Sequence, residues 1–391
     1  MAGVLANTTM DPGFANAATP YVANLIFGDS DIEDVDWAVG QGTFVNSQSW
    51  NFTAEGTSDL FSGRDQYLDW RTRNNRMLFV TSAGKDTSYV AHKGYNLLVV
   101  GGAWSDGTIA NGAAPSVDST NCSGAMYTSN WVNDSLGQEL PHLTGPGGCT
   151  SAVGITDYGV SIAPAAVAGM AAGLTEYDSD LDGWPEALKA ILMASPNGYG
   201  GSTPDGCTWG SSGTGCLTPD GRDGTGLVHG TNALNMASNH QPPDSFSDIA
   251  RYGYDFGFVD KSDFGASVPH LMSGTHYVEA SAGCPSFEHL RVVLVWDSTV
   301  GCSAGNSSSC SDDLDMDLDL RIYEEPGGSL VSYTSSTVNS YEQMEEVLLR
   351  GSSVNCVPSG TAWYYRIEIA LSNYSSVGSE STYYGLAWHT Y

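Results

Sequence analysis

The chain has 391 residues, of which 44 are acidic and 14 basic, and its formal net charge at pH 7 is -30. This length allows two domains, each with its own buried core. The charge argues against nucleic acid and anionic lipid as partners, because their phosphate groups would be repelled. No apolar run in the sequence reaches the roughly 20 residues that a membrane-spanning helix needs.

The cysteines indicate an oxidising compartment. Their number, eight, is even, and they lie in loop-like sequence without the CxxC and histidine spacing of a zinc site. Local disulfides are therefore expected, and with them a secreted, extracellular protein. Two predicted pairs, Cys207–Cys216 and Cys302–Cys310, flank short Gly/Ser/Thr-rich loops. Two further pairs, Cys122–Cys149 and Cys284–Cys356, are assigned by proximity and elimination.

The first part of the chain alternates helical and strand patterns. The predicted elements are a helix at 1–6, a strand at 21–27, a helix at 31–40, a strand at 43–46, a helix at 60–75, strands at 77–81 and 97–100, and a helix at 184–194. This alternation predicts an α/β domain with a doubly wound, mostly parallel sheet. Functional loops are expected at the carboxyl ends of its strands.

The stretch 159–169 places a serine at the start of a buried helix. Ser161 follows a glycine and a small branched residue, and a run of small apolar side chains comes after it. A hydroxyl at the mouth of such a helix is well placed to act as a nucleophile. The alternative is that Ser161 is only a small residue that allows close packing of the helix on the sheet.

The last part of the chain has the pattern of an all-β domain. A Gly/Ser-rich loop at 197–226 and a Pro-rich hinge at 239–244 precede it, so the predicted domains are 1–240 and 241–391. Beyond the hinge, apolar residues recur with period two and no helical pattern is convincing, which predicts an antiparallel sandwich or jelly roll. The predicted strands are 290–296, 314–322, 330–333, 344–349, 363–371 and 382–388.

Two groups of aspartates are candidate calcium ligands. Asp178, Asp180 and Asp182 alternate ahead of Gly183 as in a calcium loop, although the twelfth position is Lys189 instead of glutamate. A solvated turn is the alternative. In the strand predicted at 314–322, a period of two places Asp315, Asp317 and Asp319 on one face, and Asp313 continues the same alternation. These carboxylates are expected to bind calcium or, as the alternative, to form a solvated strand edge. Calcium is the only cofactor predicted; no organic cofactor is expected.

Several motifs in order resemble those of the subtilisin-like serine proteases that carry a C-terminal jelly-roll domain. Residues 159–169, GVSIAPAAVAG, are similar to the nucleophile segment G-T-S-M-A-x-P-H-V-A-G, with the proline one place earlier. Four further segments of the first part are similar to segments of the family: residues 45–50 to the strand end that lines the cleft, 79–85 to the strand before the oxyanion asparagine, 140–147 to K-P-D-x-x-A-P-G, and 226–229 to G-x-G-L-V-N. In the last part of the chain, residues 291–297 and 317–321 are similar to paired jelly-roll strands.

The resemblance implies a role for particular residues. Ser161 would be the nucleophile, and Lys85 stands at the oxyanion position, where the family usually has asparagine. Ser49 and the strand residues Val100, Gly101 and Gly102 would line the cleft that binds a polypeptide substrate.

The start of the chain, MAGVLA, is similar to the sequence that follows the catalytic histidine of the family. On that alignment the histidine and the aspartate of the triad fall upstream of residue 1, so the chain is expected to lack two of the three triad members. Its own N-terminal segment, either joined to it or held noncovalently, is then a predicted partner.

These inferences predict a serine endopeptidase that hydrolyses peptide bonds through an acyl-enzyme on Ser161, and that is inactive in the absence of its upstream residues. The alternative is a non-catalytic, protease-like protein with a role in adhesion or scaffolding. The lysine at position 85 favours this alternative, because its flexible side chain is a less preorganised donor than an asparagine amide.

Overall fold

The structure is a computed structural model, and the residues that it describes are 31–49, 61–85, 89–103, 140–147, 150–152, 155–157, 159–196, 224–245, 250–279, 289–303, 306–325, 329–333, 344–350, 364–378 and 380–390. The chain forms two compact units. The first comprises Met1–Pro185, Pro196–Val228 and Val300–Asp313, and the second comprises Glu186–Ser195, His229–Thr299 and Leu314–Tyr391. The two units interleave along the sequence, and the division at residue 240 stays a prediction.

The first unit is built on a four-stranded parallel sheet with the strand order β1-β2-β3-β4. The strands are β1 (Val45–Gln48), β2 (Leu78–Ser82), β3 (Leu98–Ala103) and β4 (Leu143–Pro146), and a small antiparallel pair, β5 (Thr150–Ala152) and β6 (Ile155–Asp157), follows. Every side chain of β2 is buried, as expected of a parallel strand that is covered on both faces. The predicted α/β class is confirmed.

Three helices accompany this sheet: α1 (Asp31–Gly40), α2 (Gly63–Asn75) and α3 (Ile162–Tyr177). Helix α2 begins with a capping box, in which the Ser62 hydroxyl accepts the Asp65 N–H at 3.0 Å and the Asp65 carboxylate accepts the Ser62 N–H. It ends at Arg76, which adopts the left-handed conformation with φ 54°. Helix α3 consists mainly of small side chains, so it packs closely against all four strands.

A disulfide-bonded hairpin completes the first unit. Strands β10 (Thr299–Ser303) and β11 (Asn306–Asp313) form a two-stranded sheet, and Cys302 and Cys310 are bonded as predicted. From Val300 onwards the hairpin belongs to the first unit, although the strands before and after it along the chain belong to the second. Its two cysteines pack against an apolar cluster that includes Tyr67 and Leu68 of α2.

The second unit contains two four-stranded antiparallel sheets, with the orders β13-β12-β15-β8 and β14-β9-β16-β7. Their strands are β7 (Tyr252–Asp260), β8 (His276–Glu279), β9 (His289–Trp296), β12 (Leu318–Glu325), β13 (Ser329–Tyr333), β14 (Met344–Arg350), β15 (Tyr364–Leu371) and β16 (Ser381–Thr390). One hydrophobic core takes side chains from both sheets, for example Leu320 and Ile367 from the first and Trp296 and Leu386 from the second.

The β domain predicted for the last part of the chain is thereby confirmed, and its jelly-roll topology stays a prediction. Helix α4 (Pro185–Ala194), apart from its first residue, and helix α5 (Gly230–Ala237) also belong to the second unit. None of the helices among the described residues is long and apolar enough to cross a membrane.

The strand predicted at 314–322 is wrong at its start, because β12 begins at Leu318. The backbone before it is bonded to a loop instead of a neighbouring strand: the Asp317 N–H donates to Asn373 Oδ1 at 3.3 Å, and the Asp317 carbonyl accepts the Ser372 N–H at 2.9 Å. Asp313 lies in β11 of the other unit. The row of four carboxylates on one strand is therefore not formed.

Other boundaries agree more closely with the sequence. Helix α1 spans the predicted residues 31–40, β2 begins one residue later than predicted, and β15 ends at the predicted residue Leu371. Strands β7 and β8 were not predicted. The helix at 1–6, the strand at 21–27 and the disulfides Cys122–Cys149, Cys207–Cys216 and Cys284–Cys356 lie outside the described residues.

Candidate active site

Ser161 stands immediately before α3, at its N-cap position. Its backbone is in the helical region, with φ -77° and ψ -12°, and its side chain makes no capping hydrogen bond to the helix. The residue is half-buried, between the buried Val160 and Ile162. Its hydroxyl is therefore not engaged in stabilising the helix, and the positive end of the helix dipole lies beside it.

The turn that carries Ser161 is anchored to the end of β4. The Gly159 N–H donates to the Gly147 carbonyl at 2.8 Å, and the Gly159 carbonyl accepts the Ile162 N–H at 2.9 Å. A Cβ on Gly147 would lie 3.0 Å from Gly159 O and 3.5 Å from the Cα of Gly102 at the end of β3. Glycine at position 147 thus permits the backbones of β3, β4 and the serine turn to approach one another.

Ser82 connects the same turn to the end of β2. Its buried hydroxyl accepts the Gly84 N–H at 3.1 Å and donates to the Val160 carbonyl at 3.5 Å. The Ser82 hydroxyl therefore makes hydrogen bonds both to the loop that leads to Lys85 and to the turn before Ser161. Lys85 itself is exposed, and its ammonium group can donate hydrogen bonds.

The residues predicted to line the cleft lie at the ends of β1 and β3. Ser49 directly follows β1, and its Oγ is shielded from solvent and makes no hydrogen bond among the described residues. Val100, Gly101 and Gly102 are buried within β3, where Val100 is in register with Ser82 of β2 and Gly102 with Gly145 of β4. The structure thus brings Gly102 and the serine turn together, and it places the Val100 side chain in the interior.

Two of the eight histidines, His92 and His142, belong to the first unit. His142 Nδ1 accepts the Val99 N–H at 3.0 Å, so this nitrogen carries no proton and serves a structural bond. His92 Nδ1 lies 3.3 Å from Asp65 Oδ1, and both residues are buried. Neither histidine is bonded to Ser161 in the part of the chain that the structure describes.

The first group of predicted calcium ligands forms part of a short turn. Asp178 Oδ1 accepts the Asp180 N–H at 3.0 Å and thereby caps a 3-10 turn, Ser179–Leu181. Desolvation and the neighbouring charge of Asp178 raise the pKa of Asp182. Of the second group, Asp319 accepts the Ser372 hydroxyl. Among the described residues, no three His, Cys, Asp or Glu side chains are grouped to hold a metal ion, and the calcium sites stay predictions.

Sequence reasoning missed a buried polar network in the second unit. Asp255 Oδ2 lies 2.8 Å from both His276 Nε2 and the Tyr384 hydroxyl, and Oδ1 lies 3.4 Å from His240 Nε2. Burial acts to raise the pKa of Asp255, but the hydrogen bonds from His240, His276 and Tyr384 and the charge of His276 outweigh it, and this pKa falls to about 2. The sequence signal that could have indicated this network is the single aspartate among the aromatic residues of 252–258.

It also missed the buried carboxyls of α2. Asp69 Oδ2 accepts the Tyr95 N–H at 2.6 Å, and Oδ1 accepts the Asn96 N–H at 2.8 Å. Burial, followed by the charge and hydrogen bond of Asp312, raises the pKa of Asp69 well above its usual range. The spacing of Asp65 and Asp69, one helical turn apart, indicates that they share a face of α2. It does not indicate that Asp312 of β11 is a neighbour of Asp69.

Comparison with known proteins gives one family match. The model of the subtilase family matches residues 1–216, which are 216 of the 391 residues of the chain. No curated protein sequence matches it significantly.

Several solved structures are distantly similar. A protease of Pseudoalteromonas arctica has a TM-score of 0.42 and 18% identity, with 60% of this chain and 69% of that chain covered. A cold adapted subtilisin-like serine proteinase has a TM-score of 0.30 and 20% identity, with 45% and 57% covered. A structure of the subtilase cytotoxin assembly has a TM-score of 0.40 and 16% identity, with 60% and 74% covered.

Proposed function

Because this chain belongs to the subtilase family, we propose that it is a serine endopeptidase in which Ser161 attacks the peptide carbonyl and becomes acylated. The observation that carries the proposal is the position of Ser161. Its side chain makes no capping bond, and the turn before it is held to the ends of β2 and β4 through Ser82 and Gly147. A hydroxyl that stands on an anchored turn and does not cap the helix is suited to nucleophilic catalysis.

The site also offers stabilisation of the oxyanion that forms when the carbonyl is attacked. Helix α3 is 16 residues long and begins directly after Ser161, so its N-terminal dipole favours negative charge at this point. Lys85, beyond the end of β2, would contribute a charged donor. A solvated lysine is less preorganised than an asparagine amide, so we expect slower acylation than in an enzyme with the usual residue.

General-base chemistry requires a histidine that reaches Ser161 and a carboxylate that orients it. His142 is excluded from this role by the bond at its Nδ1, and the described bond of His92 is to Asp65. Neither described histidine of the first unit is therefore assigned as the base. The substrate class is polypeptide, and the proposed location is extracellular, supported by the Cys302–Cys310 disulfide.

A fluorophosphonate probe tests the proposal on the full-length product of the gene. We expect covalent labelling at Ser161, because an activated serine attacks the phosphorus of such a probe and displaces fluoride. Ser161→Ala should abolish labelling. Ser238→Ala, which removes an exposed hydroxyl outside the site, should leave it unchanged.

The same experiment separates the second candidate function. Absence of labelling on the folded full-length product would favour a non-catalytic role in adhesion or scaffolding. The exposed Lys85 at the oxyanion position is the observation that supports this alternative. Labelling that persists in Ser161→Ala would instead contradict the assignment of the nucleophile.

A further inference from the structure

The carbonyl of Val160, in the turn before the candidate nucleophile, cannot be bonded in the helical pattern. Ser161 has helical backbone angles and α3 begins directly after it, so this carbonyl is directed at the nitrogen of residue 164. That residue is Pro164, which has no N–H to donate and whose ring crowds the carbonyl four residues earlier. The Val160 carbonyl therefore needs a donor from outside the helix.

Ser82, at the end of β2, supplies this donor. Its hydroxyl donates to Val160 O at 3.5 Å, and both residues are only 1% exposed, so water does not compete for the bond. No other hydrogen bond to Val160 O is present among the described residues. The Ser82 hydroxyl also accepts the Gly84 N–H at 3.1 Å, which leaves its own proton for the Val160 carbonyl.

The bond from Ser82 also sets the direction of the Ser161 N–H. A trans peptide group is planar, so this N–H points opposite to the Val160 carbonyl, out of the N-terminal end of α3. In the part of the chain that the structure describes, the Ser161 N–H makes no hydrogen bond. A backbone donor thus stands beside the candidate nucleophile, where the helix dipole favours negative charge.

We propose that Ser82 is a positioning residue for the acylation of Ser161: by holding the Val160 carbonyl, its hydroxyl aims the Ser161 N–H at the oxyanion that forms when the substrate carbonyl is attacked. This role rests on the proposed function, because only an enzyme that acylates Ser161 needs an oxyanion donor. Ser82 acts through the peptide group and does not touch the substrate. Lys85 is exposed and has a flexible side chain, so a well-oriented backbone N–H is the better preorganised donor of the two.

The rate of labelling by a fluorophosphonate probe tests the proposal on the full-length gene product. The measured quantities are the rate constant at saturating probe, kinact, and the probe concentration that gives half of this rate, KI. Ser82→Ala should lower kinact at least about fivefold, the factor that one net hydrogen bond is worth. It should change KI by less than about twofold, because the oxyanion develops only in the transition state.

A matched control and a rescue variant separate positioning from a general loss of packing. Thr81→Val removes the hydroxyl of the preceding buried residue, which makes no hydrogen bond among the described residues, and should keep the kinact of the parent. Pro164→Ala provides an N–H that can donate to Val160 O. Ser82→Ala/Pro164→Ala should therefore label at least about threefold faster than Ser82→Ala, whereas Pro164→Ala in the parent should gain less, because Ser82 already holds that carbonyl.

The results distinguish a failure of this role from a failure of the proposed function. A folded parent that is not labelled would contradict the proposed function and the role of Ser82 with it. A labelled parent whose Ser82→Ala variant keeps the parental kinact, or whose loss is not relieved by Pro164→Ala, would overturn the role of Ser82 alone. Ser82→Cys, whose thiol is a weak donor, should also label more slowly than the parent and provides the same test if Ser82→Ala does not fold.

Discussion

Two buried aspartates, one in each unit, respond to burial in opposite directions. Asp69 in α2 is 0% exposed and Asp255 in β7 is 2% exposed, so both have lost nearly all contact with water. Nevertheless the pKa of Asp69 is raised and that of Asp255 is lowered to about 2. Burial by itself therefore does not decide whether an acidic side chain is charged.

The neighbours account for the difference. Asp255 receives hydrogen bonds from three side chains, and these favour the ionised form enough to outweigh desolvation. Asp69 receives two backbone N–H bonds but also faces Asp312 and Asp65, whose charges add to the effect of desolvation. The second unit thus contains a permanent buried anion, whereas the first contains a group that can keep a proton.

Removal of the anion should have the largest effect on stability. Asp255→Ala leaves His276 and Tyr384 buried without their acceptor, and the expected loss is about 3–5 kcal/mol in the free energy of unfolding. Denaturant unfolding followed by the fluorescence of the core residues Trp296 and Trp388 measures this loss. Glu279→Ala, an exposed change on β8, is the control and should shift stability by less than about 0.5 kcal/mol. A loss for Asp255→Ala as small as that of the control would contradict the role of the network.

Acid should remove part of the same stabilisation. The folded-state pKa of Asp255, about 2, lies below the value of about 3.9 in an unfolded chain, so its contribution is present above pH 4 and is lost as the pH falls towards 2. The expected loss between pH 4 and pH 2 is about 2 kcal/mol, because the full difference is lost only below both pKa values. Denaturant unfolding of the parent and of Asp255→Asn, each at pH 4 and pH 2, gives the measurement. Parallel losses in both proteins would assign the acid sensitivity to other groups.

Changes at Asp69 should have a smaller effect and should depend on the replacement. Asp69→Ala removes the acceptor for the Tyr95 and Asn96 N–H groups, at an expected cost of about 2 kcal/mol at pH 7. Asp69→Asn retains one acceptor but places its amide NH2 against the other backbone N–H, so it should cost less than Asp69→Ala, about 1 kcal/mol. Thermal or denaturant unfolding of the two variants measures both costs, and an equal cost would contradict the role of the retained acceptor.

Features that depend on local sequence were predicted well. Helix α1, three of the four described strands of the parallel sheet (β1, β2 and β3) to within a few residues, and the Cys302–Cys310 disulfide depend on residues close together in the chain. Strand β4 was not predicted. The position of Ser161 before α3 follows from the small side chains after it. Such features can be predicted from the period of the apolar residues, from helix-capping residues and from short loops between cysteines.

Features that depend on distant residues were missed. Strand β7 places Gly253, Asp255 and Gly257 opposite Trp388, Leu386 and Tyr384, which belong to the core. Three of its four inward positions are thus glycine or aspartate, with only Val259 apolar, and its aromatic residues lie on the other face, so an apolar period did not identify the strand. Ser82 and Gly147 were not singled out, because only the order of the sheet brings them to the turn before Ser161.

The sequence by itself determined the family, through motifs of neighbouring residues, and the class of each unit, through the period of its apolar side chains. Only the tertiary structure decided the charge of the buried aspartates, because a pKa depends on groups that lie far apart in the chain. Asp312 reaches Asp69 through a hairpin that lies, along the sequence, between strands of the other unit. No spacing along the chain records this neighbour, whose charge adds to the effect of burial in raising the pKa of Asp69.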